Sequence, residues 1–293
     1  MATLSKTHPG LSFLTRRRPA LIAMIHVGAL PGTPRAEKPV AQLAAQTVQE
    51  AKHLTDSGVD AILLENMHDV PYLNRAVGPE IVASMTAVCA AVRAATKLPL
   101  GVQVLAGANQ AAIAVAQAAG CQFIRAEGFV FAHVADEGLM AQADAGPLLR
   151  YRRAIGATDI AILADIKKKH SAHAITADVD LAETARAAEF FGADGVIVTG
   201  TATGSPADPK DVAAVRKAVG VPVLVGSGVT PDNLAAFAPH AHAIIVGSYL
   251  KKDGNWRNPP DPARVQSMVK SVQSIDSKSR LRKQSNQPEF HRR

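Results

Sequence analysis

The sequence predicts a single (β/α)8 barrel, and three observations point to this α/β fold class. Eight short, nearly continuous apolar runs alternate with longer Ala-rich segments of helical periodicity. Several helical segments end at a glycine just before the next run, as in "DSGVDAI", "AAGCQFI" and "FGADGVI". Eight strand–helix units in about 250 residues are the number that such a barrel needs.

The predicted strands are apolar almost throughout, as parallel strands are when helices cover one face and a packed interior covers the other. The alternative is a doubly wound open sheet, which usually has fewer strands and opens a helix with GxGxxG, a motif missing here. In chain order the strands are "LIAMIHVG" (21–28), "AILLENM" (61–67), "PLGVQVL" (99–105), "FIRAEGF" (123–129), "AILADIK" (161–167), "GVIVTG" (195–200), "PVLVGSG" (222–228) and "AIIVGSY" (243–249).

Composition indicates a soluble globular chain, with 47% hydrophobic and 19% charged residues among 293. Aromatic residues make up only 4%, so the core must consist of small aliphatic side chains. No apolar run approaches the roughly 18–20 residues of a membrane span, and no transmembrane segment is expected. Cys89 and Cys121 have no metal-binding spacing and are expected to be buried free thiols.

The net charge of +7 belongs to the two ends of the chain. Residues 1–20 and 276–293 each carry +4, which leaves −1 for the 255 residues between them. We therefore predict a basic N-terminal extension (1–20), a barrel (21–275) and a basic, disordered C-terminal tail (276–293). Without a basic groove or interleaved aromatics we expect no nucleic-acid partner. A cytoplasmic location is expected, with organelle import through the basic N-terminus as the alternative.

Polar residues collect where the predicted strands end, which is the reactive face of such a barrel. Strand residues two apart share a face, so Asp165 and Lys167 are both expected to point into the mouth. A lysine beside carboxylates suits acid–base chemistry, although a purely structural ion-pair lattice is the alternative. The catalytic candidates are Glu65, Glu127, Asp165 and Lys167. The substrate-binding candidates are His26, Asn66, Gln103, Arg125, His170 and Thr199.

Two glycine-rich turns follow the last two strands, where barrels of this kind usually bind phosphate. "VLVGSGVTPDN" (223–233) and "IIVGS" (244–248) place small residues where backbone N–H groups can approach an anion. The alternative is that these glycines only make tight turns. A third polar segment, "VTGTATGSPAD" (198–208), is either a closing loop or an ordinary connection. The phosphate-binding candidates are Gly226, Ser227, Gly228, Gly247 and Ser248.

No metal-binding or hydrolase motif is complete. The sequence has no HxH on the first strand, no HExxH and no GxSxG nucleophile elbow. The cofactor is therefore unknown from sequence. If a divalent metal ion binds, Asp69 and His173 are the candidate ligands.

Several motifs, in order, resemble the BtpA family over residues 20–272. They are "AMIHVGALPGTP" (23–34), "ENMHDVPY" (65–72), "FIRAEGFVFAHVADEG" (123–138), "LLRYRR" (148–153), "ADIKKKH" (164–170), "VTGTATG" (198–204), "VGSGVTPDN" (225–233) and "IVGSYLKKDGNW" (245–256). The resemblance implies a TIM barrel of the ribulose-phosphate-binding type. Some related barrels carry D-x-K-x-x-D on strand five. Asp165 and Lys167 match its first two positions, but His170 replaces the third carboxylate.

The first functional hypothesis is an enzyme that acts on a small phosphorylated metabolite, a sugar phosphate or a compound of nucleotide metabolism. Lyase, isomerase and glycosyl-bond hydrolase chemistry all remain open. The alternative is a non-catalytic biogenesis factor for a membrane protein complex, which the family's role in photosystem I biogenesis implies. A regulatory binder of a phosphorylated ligand is a third option. We also expect a homo-oligomer.

Overall fold

Eight parallel strands close into a barrel in the computed structural model, which describes residues 7–15 and 18–284, with side chains of the last helix described as far as residue 275. The barrel order is β1-β11-β10-β9-β7-β4-β3-β2. These strands are β1 (Ala20–His26), β2 (Ala61–Glu65), β3 (Leu100–Gln103), β4 (Phe123–Ala126), β7 (Ala161–Ile166), β9 (Gly195–Thr199), β10 (Val223–Gly226) and β11 (Ala243–Val246). All eight predicted strands, and the (β/α)8 fold class, are confirmed.

Helices cover the outside of the barrel. They are α1 (Val40–Ser57), α2 (Pro79–Ala95), α3 (Asn109–Ala119), α4 (Ala145–Ala154), α5 (Leu181–Phe190), α6 (Pro209–Ala218), α7 (Leu234–Phe237) and α8 (Pro262–Gln284). Glycines in the left-handed region, Gly58 and Gly120, end α1 and α3, as the repeated helix–glycine–strand pattern predicts. No helix of the described ranges is long and apolar enough to cross a membrane.

A small three-stranded sheet beside the barrel has no counterpart in the sequence prediction. It has the order β6-β5-β8, formed by β5 (His133–Ala135), β6 (Gly138–Met140) and β8 (Ser171–Ala172). All of its pairings are antiparallel. Because its strands have only two or three residues, periodicity carries almost no signal for them.

Two large buried clusters make up most of the described core, one between the helices and the sheet and one inside the barrel. A third, small cluster is formed by Leu105, Ala106, Ala135 and Met140. Every second residue of a strand faces inward. On β1 the inward series is Ala20, Ile22 and Met24. On β4, Phe123 fills the space that Gly101 of β3 leaves, since a Cβ on this glycine would lie 2.1 Å from the ring.

The amino-terminal end of the barrel is closed by a short 3-10 helix, Pro9–Leu14. Its Leu11, Phe13 and Leu14 are buried in the same cluster as the inward-facing strand residues, and the rings of Phe13 and Phe123 lie 5.7 Å apart. Part of the predicted N-terminal extension therefore belongs to the core. At the other end α8 runs to Gln284, past the predicted boundary at 276, and residues 285–293 of the predicted tail lie outside the described residues.

Candidate functional site

The polar residues of the mouth are the last members of the inward-facing series on their strands. The series Ile22 and Met24 ends at His26, and the series Ala61 and Leu63 ends at Glu65. In the same way, the last inward-facing residues of β3, β4, β7, β9 and β10 are Gln103, Arg125, Asp165, Thr199 and Gly226. Strand register then places His26 beside Glu65 and Glu65 beside Gln103. The predicted mouth is thus a consequence of period-two alternation.

Arg125 and Asp165 form a buried ion pair between the neighbouring strands β4 and β7. Arg125 Nε lies 3.1 Å from both carboxylate oxygens, and Nη2 lies 3.0 Å from Oδ2. The two residues are only 4% and 5% exposed. Burial raises the pKa of Asp165, while the Arg125 charge and its hydrogen bonds oppose that rise. Such forked geometry fixes the orientation of the guanidinium.

Lys167 follows the end of β7 and lines neither cavity of the mouth. The strand ends at Ile166, and Lys167 takes a left-handed φ of 47°, which breaks the alternation. Its Nζ donates to the carbonyl oxygen of Thr176 at 3.3 Å. Asp165 and Lys167 both line a separate, much smaller cavity, and the catalytic role of Lys167 stays a prediction.

The next two lysines, Lys168 and Lys169, lie beside the carboxylates of the mouth, where Lys167 is expected from the sequence. Lys168 is buried, and its Nζ lies 3.4 Å from Glu127 Oε2 and 3.6 Å from Glu137 Oε2. Lys169 lines the mouth beside Glu65 and Arg125. Its Nζ donates to Thr203 Oγ1 at 3.3 Å. The sequence "KKK" at 167–169 indicates a cluster of cations at this rim. Period-two alternation alone, however, predicts that Lys167 lines the mouth, whereas Lys169 does.

Two adjoining cavities occupy the mouth. The glycine-lined cavity has a volume of about 180 Å³, and the carboxylate-lined cavity has a volume of about 250 Å³. Gly204, Ser227, Gly228, Gly247 and Ser248 line only the first. Gln103, Glu127, Glu137, His170 and Trp256 line only the second. Both are lined by Glu65, Met67, Arg125, Lys169 and Thr203. The two cavities therefore meet at a wall of ionisable side chains.

Four of the five predicted phosphate-binding residues line the glycine-lined cavity, and Gly226 lies just below it at the end of β10. Ser227 and Gly228 both have positive φ, 73° and 63°. A Cβ on Gly228 would lie 2.3 Å from Pro206 N, so only glycine allows segment 198–208 to approach this turn. Ser227 Oγ donates to the Ala202 carbonyl at 3.0 Å and ties the two loops together.

His26 and Glu65 form a second polar pair in the mouth. His26 Nδ1 lies 2.9 Å from the Trp256 carbonyl oxygen, which can only accept, so Nδ1 carries the proton and Nε2 the lone pair. Burial lowers the pKa of His26 to about 3, which keeps the ring neutral. Its Nε2 lies 3.9 Å from Glu65 Oε2. Burial also raises the pKa of Glu65, partly opposed by Arg125.

Asn66 and Asp69 hold loops in place rather than facing the cavities. Asn66 donates to Asp69 Oδ2 at 2.8 Å and accepts from the Leu105 N–H at 2.7 Å. Asp69 Oδ1 accepts from the Leu30 N–H at 2.8 Å. These bonds join the loops that follow β1, β2 and β3.

The two remaining histidine candidates bind neighbouring loops, and His170 also lines the carboxylate-lined cavity. His170 Nε2 accepts from the Thr203 N–H at 3.1 Å, so it fastens segment 198–208. His173 Nε2 lies 3.0 Å from the Lys168 carbonyl oxygen, and its ring lies 5.5 Å from that of His133. Asp69 and His173 are not brought together. The described part of the chain contains no group of three His, Cys, Asp or Glu residues placed to hold a metal ion.

Two buried polar atoms and the two cysteines are the last of the predicted residues. Thr199 Oγ1 and Gln103 Oε1 are buried and have no hydrogen-bond partner within the described residues. Cys89 and Cys121 are buried free thiols, as predicted.

Comparisons with solved structures agree with the fold. Thiamine phosphate pyrophosphorylase from Pyrococcus furiosus matches with a TM-score of 0.53 at 14% identity, covering 87% of this chain and 96% of that chain. Phosphoribosyl anthranilate isomerase from Thermus thermophilus matches with a TM-score of 0.52 at 11% identity, covering 87% and 99%. At such low identity the likeness shows the shared barrel.

Relatives by sequence span almost the whole chain. An uncharacterized mitochondrial protein of Caenorhabditis elegans is 46% identical over 267 residues, which are 89% of this chain and 96% of the relative. The photosystem I biogenesis protein BtpA of Synechocystis is 35% identical over 264 residues, 88% of this chain and 91% of the relative. The BtpA family model matches residues 17–274. The chain therefore belongs to the BtpA family.

Proposed function

We propose that the protein is an enzyme that acts on a small phosphorylated metabolite, a sugar phosphate or a nucleotide-like compound, at the carboxyl end of the barrel. The observation that carries the proposal is the meeting of two cavities, one lined by glycine turns and one by charged side chains. Both solved barrels cited above are named for phosphorylated compounds, which supports the same substrate class.

In this proposal the phosphate lies against the turns at Ser227-Gly228 and Gly247-Ser248. Gly226 sets the start of the first turn, and Thr203 completes the rim. Small residues let the phosphate oxygens reach backbone N–H groups. A backbone N–H group of these turns can donate to a phosphate oxygen without a rearrangement of the chain, because the turn is already formed.

The reacting part of the substrate then occupies the carboxylate-lined cavity. Arg125 Nη1 has no hydrogen bond among the described residues and can donate to a substrate oxyanion while Asp165 holds the other side of the guanidinium. Glu65 and Lys169 are the acid–base pair of the mouth. Glu127, held by Lys168, supplies the second carboxylate.

A thermal-shift titration with sugar phosphates, nucleotides and inorganic phosphate tests the proposal. A specific ligand at about 100 times its Kd adds about 2.7 kcal/mol of stability, which raises Tm by roughly 5–11 °C in a protein of this size. Gly228→Ala should abolish this ligand-induced shift, since its Cβ would collide with Pro206 N.

Gly156→Ala is the matched control. Gly156 also has a positive φ, 70°, but its added Cβ would meet nothing within 4 Å. Both variants bear the strain of a left-handed alanine, and only one disturbs the glycine-lined cavity. An equal ligand-induced shift in both variants would contradict phosphate binding at this turn.

A second candidate function is a non-catalytic assembly factor, which the name of the Synechocystis relative supports. One surface of this chain favours it. Val134 and Leu139 are cross-strand partners in the small sheet and are 43% and 59% exposed. Leu73 and Ile175 are exposed as well. Relatives of this chain also occur in Caenorhabditis elegans and Pyrococcus furiosus, and their names carry no assembly role.

Co-purification separates the two candidates. If the protein acts by assembly, a Val134→Lys/Leu139→Lys variant should lose its protein partners and keep the ligand-induced thermal shift. If partners are retained, this surface has no assembly role. Size-exclusion chromatography with light scattering tests the expected homo-oligomer on the same samples.

We propose a cytoplasmic protein, with organelle import as the alternative that the mitochondrial name of the nematode relative supports. Fusing residues 1–20 to a fluorescent protein tests import directly. Mitochondrial fluorescence would overturn the cytoplasmic assignment.

A further inference from the structure

Lys169 differs from the other cations of the mouth in its partners. Arg125 is held by Asp165, and Lys168 lies between two carboxylates. Lys169 Nζ, in contrast, is hydrogen-bonded to the neutral hydroxyl of Thr203. Within the described ranges no carboxylate oxygen lies within 4.0 Å of it. Its amine is thus left available to a ligand.

The surroundings of Lys169 make its ammonium group easier to deprotonate. Burial lowers its pKa and the Arg125 charge lowers it further, while Glu65, Asp165 and Glu127 act in the opposite direction. Only the unprotonated amine has the lone pair that attacks carbon. Burial also raises the pKa of Glu65. Lys169 therefore gives up its proton, and Glu65 takes one, more readily than either group does in water.

The position of Lys169 suits a reacting carbonyl group. Lys169 lines both cavities, so it lies where a ligand anchored at the glycine turns enters the carboxylate-lined cavity. In that cavity Gln103 is 2% exposed and its Oε1 has no partner among the described residues. An unpartnered buried acceptor is costly unless a ligand donates to it, as a sugar hydroxyl would.

We propose that Lys169 forms an imine with the aldehyde or ketone carbon of a phosphorylated, hydroxylated substrate. This inference rests on the proposed function, since the phosphate anchors the substrate. The Nζ lone pair attacks the carbonyl carbon, a C–N bond forms, and the oxygen takes a proton from Glu65. The first nitrogen proton passes to the Glu65 carboxylate, which donates it to the new hydroxyl group. The C–O bond then breaks, water leaves, C=N forms, and the second nitrogen proton returns to Glu65. Amine and carbonyl compound thus give imine and water.

Reductive trapping tests the proposal. Full-length protein is incubated with dihydroxyacetone phosphate or ribose 5-phosphate and cyanoborohydride, and intact mass and peptide mapping follow. We expect a single adduct at Lys169, heavier by the probe less one oxygen atom. Lys169→Arg keeps a positive charge but should lose the adduct. Lys97→Arg, at an exposed lysine far from the mouth, should keep it.

Three results would overturn the imine: no adduct with either probe, adducts spread over exposed lysines, or loss of the adduct in Lys167→Arg instead of Lys169→Arg. Glycerol 3-phosphate, which has no carbonyl group, should compete with trapping and should still stabilise Lys169→Arg in thermal shift. Stabilisation without any adduct refutes the imine and leaves the phosphate site intact. No stabilisation of the wild-type protein by any phosphorylated probe refutes the proposed function itself.

Discussion

Replacing Asp165 by Asn should destabilise the protein strongly while preserving side-chain shape. The variant leaves the Arg125 charge buried without its carboxylate partner, in a pair whose side chains are 4% and 1% exposed. Removing one member of a buried ion pair costs about 3–5 kcal/mol. Glu65 and Glu127 also act on Arg125, so we expect the lower end, about 3 kcal/mol. In Tm this is a decrease of roughly 6–12 °C.

Urea denaturation measures the effect as a lower midpoint at an unchanged m-value. Glu183→Gln is the control, because Glu183 and Arg186 form an ion pair of 2.7 Å at the surface, with both side chains about half exposed. We expect this variant to lose at most about 0.5 kcal/mol.

A double variant isolates the pairwise interaction. Arg125→Met/Asp165→Asn removes both charges, and its loss of stability should be about 2 kcal/mol smaller than the sum of the losses in Arg125→Met and Asp165→Asn. A loss below about 1 kcal/mol in Asp165→Asn, or single losses that simply add in the double variant, would refute the argument that this pair is desolvated and coupled.

Three further outcomes are expected. Gly101→Ala should cost at least about 1–3 kcal/mol in denaturant unfolding, because its Cβ would lie 2.1 Å from the Phe123 ring, and Phe123→Leu in the same chain should restore part of the loss. Burial lowers the pKa of His242 to about 4, so the unfolded chain binds a proton below about 6.5 that the folded chain does not. Stability should therefore fall as pH drops from 6.5 to 4, and less so in His242→Asn, whose amide oxygen can still accept from the Val223 N–H; an identical pH slope in both proteins would contradict this. Asp180→Ala should cost about 1 kcal/mol by removing the N-cap of α5, and an unchanged Tm would show that this cap contributes nothing.

The barrel could be predicted because its strands are long enough and apolar enough to stand out from the helices between them. The glycines that end helices marked the boundaries. The same alternation correctly placed His26, Glu65, Arg125 and Asp165 at inward positions of one rim, since each ends a series of buried residues.

The position of Lys169 in the mouth could not be predicted, because composition does not show at which residue the strand ends. Lys167 adopts a left-handed φ that is uncommon for lysine, and one such residue reverses which of its neighbours enters the mouth. Trp256 was missed for a different reason. It comes from a loop far along the chain, and only the closed barrel brings its carbonyl oxygen to His26.

Lys168 and Glu137 were missed for a third reason. Glu137 lies between two strands of the small sheet, β5 and β6, each of three residues. Such strands are held by tertiary contacts, which a single sequence does not display.

The short helix Pro9–Leu14 blocks the amino-terminal end of the barrel interior. Leu11, Phe13 and Leu14 fill the amino-terminal end, and above them the interior is packed with strand side chains up to the polar rim. Among the described residues, a molecule therefore reaches Lys169 from the polar rim and leaves on the same side. Under the proposed function, substrate and product share this opening, and the product should act as a competitive inhibitor.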